Sequence, residues 1–437
     1  MKTYQSWGRY PKFIPHKVIR PNWRDEITLP LPAEYLCYGL GRSYGDSCLN
    51  STGTLIDTTE LSKIIRFNPE TGLLCCEAGL SIAEILKEYM PHGWFVPVTP
   101  GTKFITIGGA IANDIHGKNH HRAGNFGNHV SRFELLRSTG ERFICSRSEN
   151  PDLFSATIGG LGLTGMITWA EFQMKKISSP IIECENIKFG TIDEFLALSA
   201  VSDARFEYSV AWVDCASSGR KLGRGIFMQG NHKSSDNPSF KWQGNQIPFP
   251  FEAPDMMLTS LTVKAFNLLY YNKQVSKIQH TDVDFDPFFY PLDKIHNWNK
   301  MYGKRGFLQY QMVIPFESGS KVLFEILRKI ADAREGSFLA VLKTFGNIQA
   351  AGMMSFPRPG ITLALDFGFN GERTLKLLEN LDAIVRECGG AVYPAKDARM
   401  SNESFKRYFP RYEEFSKYID PNFSSDFWKR VTTSQKI

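Results

Sequence analysis

Between Pro97 and Val130 the chain reads PVTPGTKFITIGGAIANDIHGKNHHRAGNFGNHV, which sets His116, His120 and His121 within six residues and His129 close behind. Imidazoles at this density could move protons or ligate a metal. Paired histidines four apart suit a metal only on a helix face, but Gly117 and Gly124 argue against a helix. No cysteine or carboxylate completes a set, so the expected metal is none. Glycine is costly to order, and a folded glycine-rich run lets the backbone approach something closely. A second such run, YGLGRSYGD (Tyr38–Asp46), follows the strand-like Tyr35–Tyr38. Strand followed by glycine-rich loop is where backbone N–H groups nest an anion, and Arg42 and Ser43 lie within it. The spacing is neither GxGxxG before a helix nor a loop ending in GK[ST], so the common dinucleotide and Walker patterns are not met. The two runs read as wrapping one large phosphate-bearing cofactor; plain tight turns are the bland alternative. Gly159–Gly165 is a third run beside a strand.

The elements that must position these groups show turn and cap signals. Thr54–Asp57 reads as a strand, and Ile64–Asn68 with Leu73–Glu77 as a hairpin about Pro69–Gly72. Ser81 and Glu84 form a capping box for a helix that Pro91 ends. Asn150 and Pro151 open a short helix, and Met166–Met174 is a strand. A change of composition after Pro180 marks a boundary. Beyond it, residues 206–215, Phe307–Pro315, Ser337–Phe345 and Gly360–Phe369 read as strands, and Ser320–Arg334 and Thr374–Cys388 as helices. That order implies an antiparallel sheet with helices on one face. Residues 230–250 form a polar loop. Met256–Tyr271 is so apolar that it is either a buried helix or a membrane-facing lid.

At 437 residues the chain implies two domains. A net charge of +6 suits an anionic ligand or membrane surface and does not call for nucleic acid. The eight cysteines are scattered without a CxxC pair, as in a reduced protein. No signal peptide or spanning helix is expected. The expected location is cytoplasmic, or peripheral on a membrane face.

YGLGRSYGD, PGTKFITIGGAIANDIHGKNHHRAGNFGNHV, GGLGLTGMI, GFLQYQMVIP and YPAKDAR, in this order, resemble the FAD-dependent decaprenylphosphoryl-ribose 2-oxidases, flavoproteins of the vanillyl-alcohol oxidase class. The resemblance runs from Tyr38 to the C-terminus and is weakest at 220–290. It implies an α+β, two-domain fold. Residues 1–179 and 391–437 would bind FAD, and 180–390 would form an antiparallel-sheet substrate domain. It implies that Gly39, Gly41, Arg42, Ser43, Tyr44, Gly45 and Asp46, with Gly101, Thr102, Thr106, Ile107, Gly108 and Gly109, hold the dinucleotide. Asn113, His116, Gly117, Ile167 and Tyr393 would lie along the flavin, held without a covalent bond.

Oxidising a secondary alcohol needs a hydride acceptor, a proton acceptor and groups that fix the carbon. Lysine suits the last two tasks because burial or a nearby cation lowers its pKa. Lys396, helped by Tyr44 or His116, is the expected base. Lys118, Lys343, Trp212, Tyr302, Gln309 and Gln311 are expected to shape the substrate site. Ala364 stands where the mycobacterial enzymes carry a cysteine, Val210 where they have serine and Thr362 where they have asparagine. The implied reaction takes the C2 hydroxyl of a polyprenylphosphoryl-ribose to a ketone. A short-chain NAD(P)H reductase would complete the epimerisation to arabinose. A peroxide-forming sugar, alditol or aldonolactone oxidase and a non-enzymatic anion- or metal-binding protein are the rival readings.

Overall fold

The computed structural model describes residues 3–27, 34–235, 247–249, 251–254 and 259–433. Residues 236–246 and 250 of the expected polar loop, and Met256–Leu258 of the apolar run, lie outside the described residues. Strands β1 (Lys17–Ile19), β2 (Tyr35–Tyr38) and β3 (Thr54–Asp57) form a parallel sheet in the order β1-β3-β2, and β2 runs straight into the first glycine loop. Strands β4 (Ile64–Asn68) and β5 (Leu73–Glu77) pair antiparallel about the expected turn. Helix α1 (Ile82–Tyr89) starts at Ser81 with both halves of the capping box made, and buries Ile82, Ile85, Leu86 and Tyr89. The short strand β6 (Trp94–Phe95) precedes α2 (Ile107–Ala112), which Thr106 caps by accepting from the Gly109 amide.

After α2 come one turn of helix, α3 (His120–Ala123), then β7 (Val130–Leu136), β8 (Arg142–Ser146), α4 (Pro151–Thr157), β9 (Met166–Gln173) and β10 (Lys175–Lys176), which pairs β6. Strands β4-β5-β9-β7-β8 make a five-stranded antiparallel sheet with α1 and α2 packed on it. The turn at α3 qualifies the sequence expectation: a helix does form between Gly117 and Gly124. His116 precedes it, so no two imidazoles share a helix face.

The remaining strands are β11 (Ile181–Phe189), β12 (Tyr208–Val213), β13 (Gly225–His232), β14 (Ile247–Pro248), β15 (Ile278–Asp284), β16 (Ile295–His296), β17 (Phe307–Ile314), β18 (Ala340–Phe345), β19 (Gly360–Gly368) and β20 (Ala391–Val392). Strands β14 and β16 form a small parallel pair. The others form an eight-stranded sheet, β15-β11-β13-β12-β18-β19-β17-β20, with every pairing antiparallel. Strand side chains alternate between faces. Leu308, Tyr310, Met312, Leu342, Leu363 and Leu365 meet α5 (Ile192–Arg205), α8 (Gly319–Ala333) and α9 (Glu372–Glu387) on one face. Trp212, Gln309, Gln311, Lys343 and Thr362 point the other way, into a cavity.

Two further helices lie between these strands. Helix α6 (Ser260–Lys273) buries only Val263 and Asn267, while Leu261 is 79% and Leu269 72% exposed. The buried-helix reading of this apolar run is therefore wrong. Helix α7 (Phe285–Phe289) packs its phenylalanines on Phe95 in the first sheet's core. The chain closes with α10 (Asn402–Tyr408), α11 (Tyr412–Ser416) and α12 (Asp426–Thr432), whose aromatics pack beside α9. Each of the two largest cores thus takes residues from both sides of Pro180. No helix among the described residues is long and apolar enough to cross a membrane.

Candidate active site

The two glycine-rich runs face each other across one cavity of about 880 Å3, lying between the glycine loops and the free face of the large sheet. Their approach is as close as glycine permits: a Cβ on Gly39 would fall 2.6 Å from Thr106 Oγ1. Gly41 adopts φ +62°, a conformation that disfavours side chains. Arg42 lies in the wall with its guanidinium 4.0 Å from the Trp7 ring centroid, and its Nε donates to the Phe104 carbonyl. The N-terminal arm pairs with this loop, since Trp7 N donates to Ser43 O and Gly8 N to Tyr44 O. From the opposite loop, Lys103 is buried and ion-paired with Asp286 of α7, while its backbone N donates to Asp293. That lysine braces the loop and leaves the cavity to the glycines.

The chemical groups gather at one end. Lys343 Nζ donates to the Gly117 carbonyl and pairs with His116 Nδ1, both at 2.8 Å. His116 Nε2 faces the Gln311 amide at 3.0 Å, and Gln311 Nε2 also donates to Thr362 Oγ1 at 3.2 Å. Burial, with Lys343 beside it, holds His116 well below the usual imidazole range. Burial lowers Lys343 to about 7, helped by the charges of Lys118 and Lys396. Lys118 falls to about 8 through burial and donates to the Phe288 carbonyl at 2.5 Å. Lys396, on the turn after β20, stands 4.0 Å above the Tyr44 ring and falls to about 8 through burial, against the pull of Asp366. Tyr393 donates to the Asn113 carbonyl at 2.7 Å, and Asn113 Nδ2 to Gly109 O at 2.8 Å.

Of the residues singled out from the sequence, Gly39, Gly41, Arg42, Ser43, Tyr44, Gly101, Thr102, Thr106, Gly108, Gly109, Asn113, His116, Gly117, Lys118, Ile167, Trp212, Gln309, Gln311, Lys343, Tyr393 and Lys396 all line this cavity. Four stand elsewhere. Ile107 is wholly buried in the first core. Gly45 backs onto Asp397, whose carbonyl leaves no room for a Cβ. Asp46 is held by the Arg430 guanidinium at 2.7 and 2.8 Å. Tyr302 stacks on Phe307 with centroids 4.2 Å apart and lines a second cavity. The other histidines take local roles. His120 Nδ1 accepts from Gly346 N, and His121 and His129 meet the Phe206 and Ala123 carbonyls. No metal-holding group of three or more His, Cys, Asp or Glu occurs among the described residues.

Sequence reasoning missed Trp7, Phe266, Tyr270 and Phe338 as cavity walls, and Asp366 beside it. Asp366 did carry a signal, as the lone charge in the otherwise apolar strand ITLALDFGF.

The geometry fits a long anionic cofactor. The volume lies at the upper end of the roughly 300–1,000 Å3 of small-molecule sites. Arg42, Lys118, Lys343 and Lys396 line it, with no carboxylate among its described lining residues. Residues 32–146 match the family model of an FAD binding domain. A decaprenylphosphoryl-beta-D-ribose oxidase of Mycolicibacterium smegmatis is 38% identical over 413 residues, covering 90% of this chain and 88% of the relative. The chain belongs to that oxidase family. A cytokinin dehydrogenase of Oryza sativa subsp. japonica is 23% identical over 77% of the chain and 68% of its own length. A putative D-arabinono-1,4-lactone oxidase of Neurospora crassa is 29% identical over only 39% of the chain and 32% of its own. The protein is thus an FAD-dependent oxidoreductase of α+β, vanillyl-alcohol-oxidase-like fold, and the non-enzymatic reading falls away.

Proposed function

We propose that the protein oxidises the C2 hydroxyl of a polyprenylphosphoryl-ribose to the 2-keto sugar, the first half of an epimerisation to the arabinose lipid. The carrying observation is the cavity itself: four cationic side chains without a carboxylate among the described lining residues, extended by Val263, Phe266, Tyr270 and Phe338. A phosphate joined to a prenyl chain matches both ends of that lining.

Residues 1–179 and 391–437 hold the cofactor in this reading, and 180–390 the substrate. Bound flavin supplies the hydride acceptor. The glycine loops and Arg42 hold its diphosphate, and Asn113, Gly117, Ile167 and Tyr393 flank the ring. Both His116 nitrogens are already engaged by Lys343 and Gln311, which supports a flavin held without a covalent bond. The same two bonds leave His116 no free lone pair, so the hydroxyl proton goes to Lys396. Lys118 meets the substrate phosphate, and Gln309, Gln311 and Trp212 fix the sugar. The exposed apolar face of α6 rests on the membrane that carries the lipid, and a separate short-chain reductase using NAD(P)H returns the ketone.

The test is incubation of the holoenzyme with farnesylphosphoryl-ribose, free ribose and arabinonolactone while flavin absorbance is followed. Only the first should bleach the flavin, and acid precipitation should leave the colour in the supernatant. Bleaching by the free sugars alone would overturn the assignment.

A further inference from the structure

Oxidation of the alcohol leaves a proton in a site that a lipid substrate would plug, so the proton needs another way out. A second cavity of about 410 Å3 abuts the first, separated from it by Val263, Met301 and Phe338, which line both. Its character is different, with Arg305, Glu335, Ser337, Asn370 and Arg373 in its walls. Asp366 lines it too, only 2% exposed, with Oδ2 lacking a hydrogen bond. Its other oxygen accepts from Gln309 Nε2 at 2.5 Å, and Gln309 lines the catalytic cavity. Gln309 and Asp366 are directly paired residues of β17 and β19, so the bond is built into the sheet register. A polar cavity of this size holds water, and an unpaired buried carboxylate oxygen needs such a partner.

We propose that Asp366 is the proton exit of the active site, taking the proton that Lys396 receives from substrate and passing it to water in the second cavity. The inference rests on the alcohol-oxidation reading above. In the step, the substrate C–H bond breaks with its electron pair going to the flavin, and the O–H proton forms an N–H bond on neutral Lys396. That ammonium then passes the proton through intervening water to the Asp366 carboxylate, whose new O–H gives it up to water in the second cavity, restoring both groups. The groups facing Asp366 are Gln309, Tyr44, Tyr302 and Lys396, with Arg305, Glu335 and Arg373 across the second cavity. Burial lifts the Asp366 carboxyl to about 7, against the Gln309 amide, the Lys396 charge and the Tyr302 hydroxyl. It is thereby matched to Lys396, as a relay requires.

Two variants test it. Asp366→Asn removes the acceptor, and Gly368→Leu fills the second cavity. A Cβ at Gly368 meets nothing nearer than the Tyr302 ring at 3.8 Å. The wild-type holoenzyme is mixed with farnesylphosphoryl-ribose in weak buffer containing an indicator dye. Proton release should keep pace with flavin bleaching. In both variants bleaching should persist in the first turnover while proton release lags by roughly 100-fold. Synchronous release in both overturns the relay. Infrared difference spectra of photoreduced against oxidised holoenzyme need no substrate. They should show a carboxylic-acid band that Asp366→Asn abolishes, and its absence from wild type equally overturns the relay. If the band is present while farnesylphosphoryl-ribose fails to bleach the flavin, the relay stands and the substrate assignment falls.

Discussion

Lys396 works as a base only when it has lost its proton, which sets the direction of the pH dependence. With its pKa at about 8, flavin reduction followed by stopped flow should rise about tenfold per pH unit below that value and level off above it. Lys396→Met should keep the flavin and lose roughly 100- to 10,000-fold in reduction rate. Asp366 carries the opposite sign. Its folded-state pKa is raised, so its contribution to stability is complete below the unfolded value and is lost as pH rises through about 7. Urea unfolding should therefore show Asp366→Asn gaining on wild type between pH 5 and pH 8. The roles of Lys396 and Lys118 could be proposed from motif position. That Lys343 pairs with His116 could not, because residues 116 and 343 meet only through the packing of α3 against β18.

At the scale of elements, the sequence was legible wherever local chemistry sufficed. The bounds of β4 and β5 follow from the Pro69–Gly72 turn, and the start of α1 from its capping box. Strand β15, IQHTDVD, escaped notice because an edge strand exposed over most of its length carries no apolar alternation. Composition flagged α6 but could not say which way its apolar side chains face. With Asn267 bonded to Asp214 and Val263 beneath, Leu261, Leu268 and Leu269 point outward. Changing these three leucines to glutamine should cut cosedimentation with anionic vesicles at least tenfold, since each buried leucine contributes about 1.5–3 kcal/mol. Flavin content should not change. The loop brace is a separate matter. Lys103→Met leaves Asp286 buried without its cation and should cost about 3–5 kcal/mol in urea unfolding.

The molecule as a whole is organised around a cavity between two cores. A ligand bound there stabilises only the assembled state, by about 4 kcal/mol at a thousandfold excess over Kd. Stripping the flavin should accordingly lower the thermal midpoint, and adding FAD back should restore it. The first glycine loop is completed by the last stretch of chain: Tyr44 N donates to Ala395 O, and Asp46 is gripped by Arg430 across 384 residues of sequence. During synthesis that loop emerges well before its partner, which follows 384 residues later. A chain released short of Arg430 leaves the Asp46 carboxylate ungripped and the loop unclamped. Flavin retention in this protein therefore depends on a grip supplied from 384 residues away, and chains ending before Arg430 should hold less of it.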